Sequence, residues 1–283
     1  MKKRILTLLL IMAMAVVMIT TTASAAISET IYVAGIGMSS GDYLEVGATA
    51  TTTTAPADKY AYYADGVLTL HNYSYEGENG KLDALVYSEG DLSIVLEGEN
   101  TLSYNGTNPS FYSIYAAGNL AVTEGTEGGS LTAVATADGI SSAGDLTIGG
   151  GTLYITADEY GIYVDGDITI EGSTLDITSE DEDGIYAGDI TIENSNVTIK
   201  ADNGISAIGN IAIINNSTLE ITDEDDGIYA DGDITIENSN VTINTYCDGL
   251  YAPYGNIAIS YSTLKITADE YGIYVDGDIT IEG

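Results

Sequence analysis

The sequence predicts an all-β protein, a right-handed single-stranded parallel β-helix (β-solenoid) with three short strands in each coil of about 22 residues, and three observations predict it. A Gly-aliphatic pair recurs at Gly139-Ile140, Gly161-Ile162, Gly184-Ile185, Gly204-Ile205, Gly227-Ile228, Gly249-Leu250 and Gly272-Ile273, with spacings of 22, 23, 20, 23, 22 and 23. Each period carries two further strand marks, Gly-Asp/Asn-aliphatic-x-Ile (Gly144, Gly166, Gly188, Gly209, Gly232, Gly255, Gly277) and Leu/Val-x-Ile (Leu153, Leu175, Val197, Leu219, Val241, Leu264). Within each run the aliphatics alternate with a period of two, and no stretch offers the 3.6 period of a helix. A leucine-rich repeat has a similar period but needs a helical return, which Thr-Ile-Thr-like runs and Gly/Asn/Asp turns do not supply.

The alternation sets Ile162, Val164, Ile168, Ile170, Leu175 and Ile177 on one interior face and Tyr163, Thr169 and Asp176 outside. The six aliphatics of one coil do not offset the entropy of ordering it, so a coil alone is unstable. Stacking supplies the rest: each strand pairs with its equivalent about 4.8 Å above and below, and the interiors merge. Variable coil length and three unequal strands favour the right-handed form, the usual hand of parallel crossovers.

Residues 1–25 read as an export signal, with Met1 to Arg4 basic, Ile5 to Ile19 apolar and Ala23-Ser24-Ala25 at the cleavage point. The expected location is secreted or extracellular, at the cell surface if anchored. No later apolar run is long enough for a membrane span. Residues 26–83, which include Thr49 to Thr54 and Val67-Leu68-Thr69-Leu70, lack the period and are expected to form an N-terminal cap region. Residues 84–283 are expected to form the coils, degenerate at first (Gly90-Asp91-Leu92, Gly118-Asn119-Leu120). The 16-residue string at 157–172 recurs unchanged at 268–283, so the reading frame is expected to be truncated in mid-coil.

The formal net charge is −36. Without the signal, Lys59, Lys81, Lys200 and Lys265 are the basic residues set against 43 acids. Such a chain repels nucleic acid and anionic membranes, which leaves cations and neutral ligands as partners. With Cys247 alone, no intrachain disulfide forms, and a monomer held together by packing is expected.

The acids form columns. Asp145, Asp167, Asp189, Asn210, Asp233, Asn256 and Asp278 are equivalent, and loops holding Asp183 and Asp226 add clusters before the Gly-Ile step. Two readings stay open. Gly-Asp forms Asx-type turns and the loops are solvated, or calcium, which takes hard oxygen ligands, is bound by Asp145, Asp167, Asp189, Asp233, Asp183 and Asp226.

An aromatic column also aligns outside the Gly-Ile strand: Tyr115, Ser142, Tyr163, Tyr186, Ser206, Tyr229, Tyr251 and Tyr274, with Tyr160 and Tyr271 nearby. It is either a structural cross-strand ladder or a row of aromatic faces beside acidic acceptors on which sugar rings stack, with Tyr115, Tyr163, Tyr186, Tyr229, Tyr251 and Tyr274 as the carbohydrate-binding residues.

The runs Tyr-Ala-Asp-Gly-Val-Leu-Thr-Leu (63–70), Gly-Asp-Leu-Ser-Ile-Val-Leu-Glu-Gly-Glu-Asn-Thr (90–101) and Gly-Asp-Ile-Thr-Ile resemble the β-helical, carbohydrate-binding-domain surface proteins of anaerobic Gram-positive bacteria. The resemblance covers residues 60–283. It implies a non-catalytic, extracellular role facing cell-wall or plant-type polysaccharide, a pectate-lyase-like shape and frequent calcium loading. Lyases of that shape use an Arg or Lys base near calcium, and Arg4, in the signal, is the chain's one arginine, while His71 falls in the cap region. Carboxylate pairs suited to glycoside hydrolysis recur in every coil, whereas a catalytic pair is singular. The expectation is a polysaccharide-binding protein that is not an enzyme. A spacer or adhesin stalk without sugar affinity, and a fragment of a polysaccharide lyase, are the alternatives.

Overall fold

A computed structural model describes residues 30–283. The export signal lies outside the described residues. Every regular element described is a β-strand, and the parallel coils stack about 22 residues apart into a β-solenoid of about ten turns. The expectation of an all-β solenoid holds, and strands, not helices, make the return path.

Each coil contributes one strand to a first sheet and two to a second. In one coil these are β14 (Ile162–Val164), then β15 (Ile168–Glu171) and β16 (Thr174–Ser179). Their in-register equivalents in the next coil are β17 (Ile185–Ala187), β18 (Ile190–Glu193) and β19 (Asn196–Ala201), paired parallel Ile162 to Ile185, Ile168 to Ile190 and Leu175 to Val197. Ile162, Val164, Ile168, Ile170, Leu175 and Ile177 are all buried, so one aliphatic core runs through the stack. In the early coils the second and third strands fuse into β8 (Leu92–Tyr104) and β10 (Leu120–Val134), which bend round the corner the later coils break.

The first sheet begins with an antiparallel hairpin, β1 (Thr30–Val33) and β2 (Ile36–Ser39), laid against β7 (Ala84–Ser88), the first parallel strand. The second begins with β3 (Asp42–Glu45), β4 (Tyr60–Ala64) and β5 (Val67–His71), paired antiparallel, of which β5 then runs parallel to β8. Antiparallel hairpins thus stand at the starting edge of both sheets.

The recurring glycines follow from the tight stacking. A Cβ on Gly184 would lie 2.2 Å from Cγ2 of Ile199 and 2.8 Å from the carbonyl oxygen of Gly204. A Cβ on Gly188 would lie 2.6 Å from Oδ1 of Asp167. Any larger residue at either place would push neighbouring coils apart.

Candidate functional site

The outer acid column is a hydrogen-bond ladder. The N–H of Asp145 donates to Oδ1 of Asn119 (2.9 Å), that of Asp167 to Asp145 (3.0 Å) and that of Asp189 to Asp167 (2.8 Å). The series continues through Asn210, Asp233, Asn256 and Asp278, each N–H bonded to the Oδ1 one coil earlier. The geometry asks for a side-chain carbonyl oxygen, which Asn provides as well as Asp. Oδ1 of Asp145, Asp167, Asp189 and Asp233 is thus engaged in joining coils, and their oxygens suit calcium by ligand type alone.

Asp183 and Asp226 stand elsewhere, in a second ladder just before the Gly-Ile steps. Nδ2 of Asn203 donates to Oδ1 of Asp183 (2.9 Å), the N–H of Asp226 to Oδ1 of Asn203 (3.1 Å), the N–H of Asp248 to Oδ1 of Asp226 (2.9 Å) and the N–H of Tyr271 to Oδ1 of Asp248 (2.9 Å). The six expected calcium ligands therefore do not converge. Among the described residues, Asp225, Asp226 and Cys247 do bring ligand atoms within 4.8 Å of one another. A hydrogen bond to the Asp225 carboxylate, then burial, pushes the thiol up to about 12. Two carboxylates and a protonated thiol do not suit calcium, which takes oxygen ligands.

The register corrects one member of the aromatic column. Ser141, not Ser142, stands between Tyr115 and Tyr163, and Ser142 lines up with Ala116 and Val164 on the inward side. Counted from the Gly-Ile step, Ser141 follows Ile140 as Tyr163 follows Ile162, and the pairing of Ile140 with Ile162 agrees with that offset. Tyr87 extends the column beyond Tyr115.

Read along the first sheet, the column is Tyr87, Tyr115, Ser141, Tyr163, Tyr186, Ser206, Tyr229, Tyr251 and Tyr274, a Tyr-Tyr-Ser order that occurs twice and then gives way to three tyrosines. The rings stack on one another: Tyr87 and Tyr115 are 5.8 Å apart with planes at 7°, and Tyr163 and Tyr186 are 5.3 Å apart at 4°. Stacked rings cover each other's faces, so these tyrosines are half-buried or buried. Further along, Tyr229 and Tyr251 are tilted by 57° and Tyr251 and Tyr274 by 66°, so the face-to-face ladder is that of the first two pairs.

It stops at the serines, and a cavity opens at each. The first, about 330 Å³, is lined by Tyr112, Tyr115, Tyr160 and Tyr163 around Ser141 and Asp138. The second, about 390 Å³, lies between Tyr186 and Tyr229 over Ser206, Asp183 and Asp226. The wall tyrosine after each serine is pinned by the aspartate two residues on: Tyr163 Oη donates to Asp165 (3.1 Å), and Tyr229 Oη donates to Asp231 (2.6 Å). Asp138 and Asp183 are 5% and 6% exposed. Burial raises Asp138 to about 7, opposed by a hydrogen bond from Ser141. Asp183 is raised by burial too, opposed by hydrogen bonds from Ser206 and Asn203. A buried acid accompanies each serine, Asp138 beside Ser141 and Asp183 beside Ser206.

His71 lies apart on the second sheet, 3.3 Å from Asp58 and 3.1 Å from Glu97 and stacked on Tyr60. No helix among the described residues is long and apolar enough to cross a membrane.

No curated protein and no solved structure matches the chain. Residues 99–201 match the sequence profile of a family described as carbohydrate-binding domain-containing protein, a match that includes every residue lining the first cavity.

Proposed function

We propose that this chain is an extracellular, non-catalytic polysaccharide-binding β-solenoid that holds its ligand on the tyrosine face of the first sheet. The observation that carries the reading is the interrupted tyrosine column: at each serine gap a cavity is walled by tyrosine rings and by carboxylates able to accept hydrogen bonds from sugar hydroxyls. Apolar ring faces with a few fixed polar groups are what a pyranose, with its C–H faces and hydroxyl rim, requires. The match of residues 99–201 to a carbohydrate-binding family supports it. Calcium belongs to the same proposal as a counter-ion of the outer ladder, where about 1 kcal/mol of repulsion per neighbouring pair in water favours a divalent cation.

Retardation in native gels loaded with soluble polysaccharide tests the reading. Replacing Tyr163, Tyr186, Tyr229 and Tyr251 with Ser, the residue the column already holds at 141 and 206, should abolish retardation with the coils intact. Equal retardation of wild type and variant at equal melting temperature would leave the tyrosines a purely structural ladder and favour the spacer reading.

A further inference from the structure

Resting on the polysaccharide-binding reading, we propose that the cavity at each serine gap is a site for a hexosamine unit with a free amine, so that the chain recognises a cationic, de-acetylated polysaccharide.

The two cavities distribute their acids alike. In the first, Asp165 accepts the hydrogen bond of the Tyr163 hydroxyl, while Asp138 and Glu159 stand in the loops that lead into the Gly139 and Gly161 steps. In the second, Asp231 accepts that of Tyr229, while Asp183 and Asp226 stand in the loops before the Gly184 and Gly227 steps. Each cavity thus has one acid that fixes a wall tyrosine and two more at the loop end. Neither lining holds a lysine or an arginine.

The acids at the loop end lack a counter-charge. Asp138 and Asp183 are buried, and the charged groups that act on them are themselves acids: Glu159 and Glu182 on Asp138, Glu182 and Asp202 on Asp183. Asp226 meets Asp225, Asp248 and Glu270. The hydrogen-bond donors are neutral, Ser141 and the Tyr160 N–H for Asp138, Ser206 and Asn203 for Asp183. A carboxylate held away from water without an opposite charge is costly, and it attracts a cation more strongly than an exposed one for the same reason.

The chemical class of the ligand follows. Cavities of about 330 and 390 Å³ lie at the lower end of the range for small-molecule sites, a size for one sugar unit. Their tyrosines suit the apolar C–H surface of a pyranose. A uronic acid would add like charge, and a neutral or N-acetylated unit would bring donors without charge. An amino sugar brings both the C–H surface for the tyrosines and an ammonium for the acids.

Titration calorimetry in low salt, at mildly acidic pH where the amines are charged, compares the glucosamine tetramer with its N-acetylated form and with cellotetraose. Tetragalacturonate and tetralysine are the acidic and peptide controls. Wild type should bind the glucosamine tetramer about tenfold or more tighter than the other two sugars, and the preference should shrink in high salt. Asp138→Asn combined with Asp183→Asn keeps an acceptor oxygen at each place and removes the charge. It should cut the preference about threefold or more and leave the cellotetraose affinity as in wild type, a pattern that damage to the fold does not produce. Equal or tighter binding of cellotetraose or the N-acetylated tetramer overturns the amine and leaves the polysaccharide reading standing. A preference that the double variant retains in full overturns the two cavities as its seat. Tetralysine or tetragalacturonate bound as tightly as the glucosamine tetramer overturns recognition of an amino sugar. A wild type retarded by no polysaccharide in native gels removes the parent reading itself. If the double variant fails to fold, the wild-type order of ligands and its salt dependence decide.

Discussion

The N–H of Asp167 donates to Oδ1 of Asp145 across 3.0 Å, and this one bond, repeated coil after coil, explains the acid column without any ligand. Its carbonyl oxygen is required and its charge is not. Replacing Asp145, Asp167, Asp189 and Asp233 together with Asn should therefore keep the ladder, relieve repulsion and raise the melting temperature in low salt. The same four changed to Ala should lower stability by about 1 kcal/mol per site, the usual net worth of such a bond. Thermal unfolding of the two variants checks the sign of each.

The Asn variant also tests calcium. An ion bound by the folded column alone stabilises by mass action, so millimolar calcium should raise the wild-type melting temperature beyond magnesium or sodium at matched ionic strength, which control for screening. The increment should vanish in the Asn variant. An equal calcium response in both proteins would take the ion away from the column.

Acidification should stabilise the fold. Burial raises Asp138 and Asp223 to about 7 and shifts Asp183 and Asp226 the same way. The folded protein thus retains protons, between about pH 4 and 7, that the unfolded chain releases, and the sign of the linkage makes stability fall as pH rises through 7. The melting temperature should be higher at pH 5 than at pH 8 by on the order of 5 °C, and Asp223→Asn should flatten the profile. A maximum near neutral pH would show that these acids ionise freely.

One turn position is strained. The corner between the second and third strands uses a residue at positive φ, Gly172 (64°), Asn194 (48°) and Asn238 (49°) in three coils, and Tyr261 (49°) in another. A left-handed conformation costs a non-glycine residue about 1–2 kcal/mol, least for Asn. Tyr261→Asn should gain about 0.5–1 kcal/mol, read as a higher midpoint in urea with unchanged slope.

The core should be uniformly intolerant. Ile192 is fully buried inside the stack, and Ile192→Ala should cost about 3 kcal/mol through lost burial and the cavity left behind. Gly184→Ala should match or exceed that, because its added methyl meets the Gly204 backbone. Both are read from chemical denaturation.

The stack itself was legible in the sequence, because a strand's side chains alternate with a period of two and a coil cannot bury its aliphatics alone; the Gly-Ile steps and Ile168, Ile170, Leu175 and Ile177 sufficed. The outer Asp and Tyr columns were legible for the same reason, since identical coils in register bring identical positions together. What only the tertiary structure decided is how neighbouring columns meet. Asp183 and Asp226, which the sequence sets in loops before the Gly-Ile step, are joined through Asn203 into a second ladder that runs on to Asp248 and Tyr271. The two cavities came from how a serine, its two flanking tyrosines and a buried acid pack around one opening, which the repeat spacing aligns but does not shape.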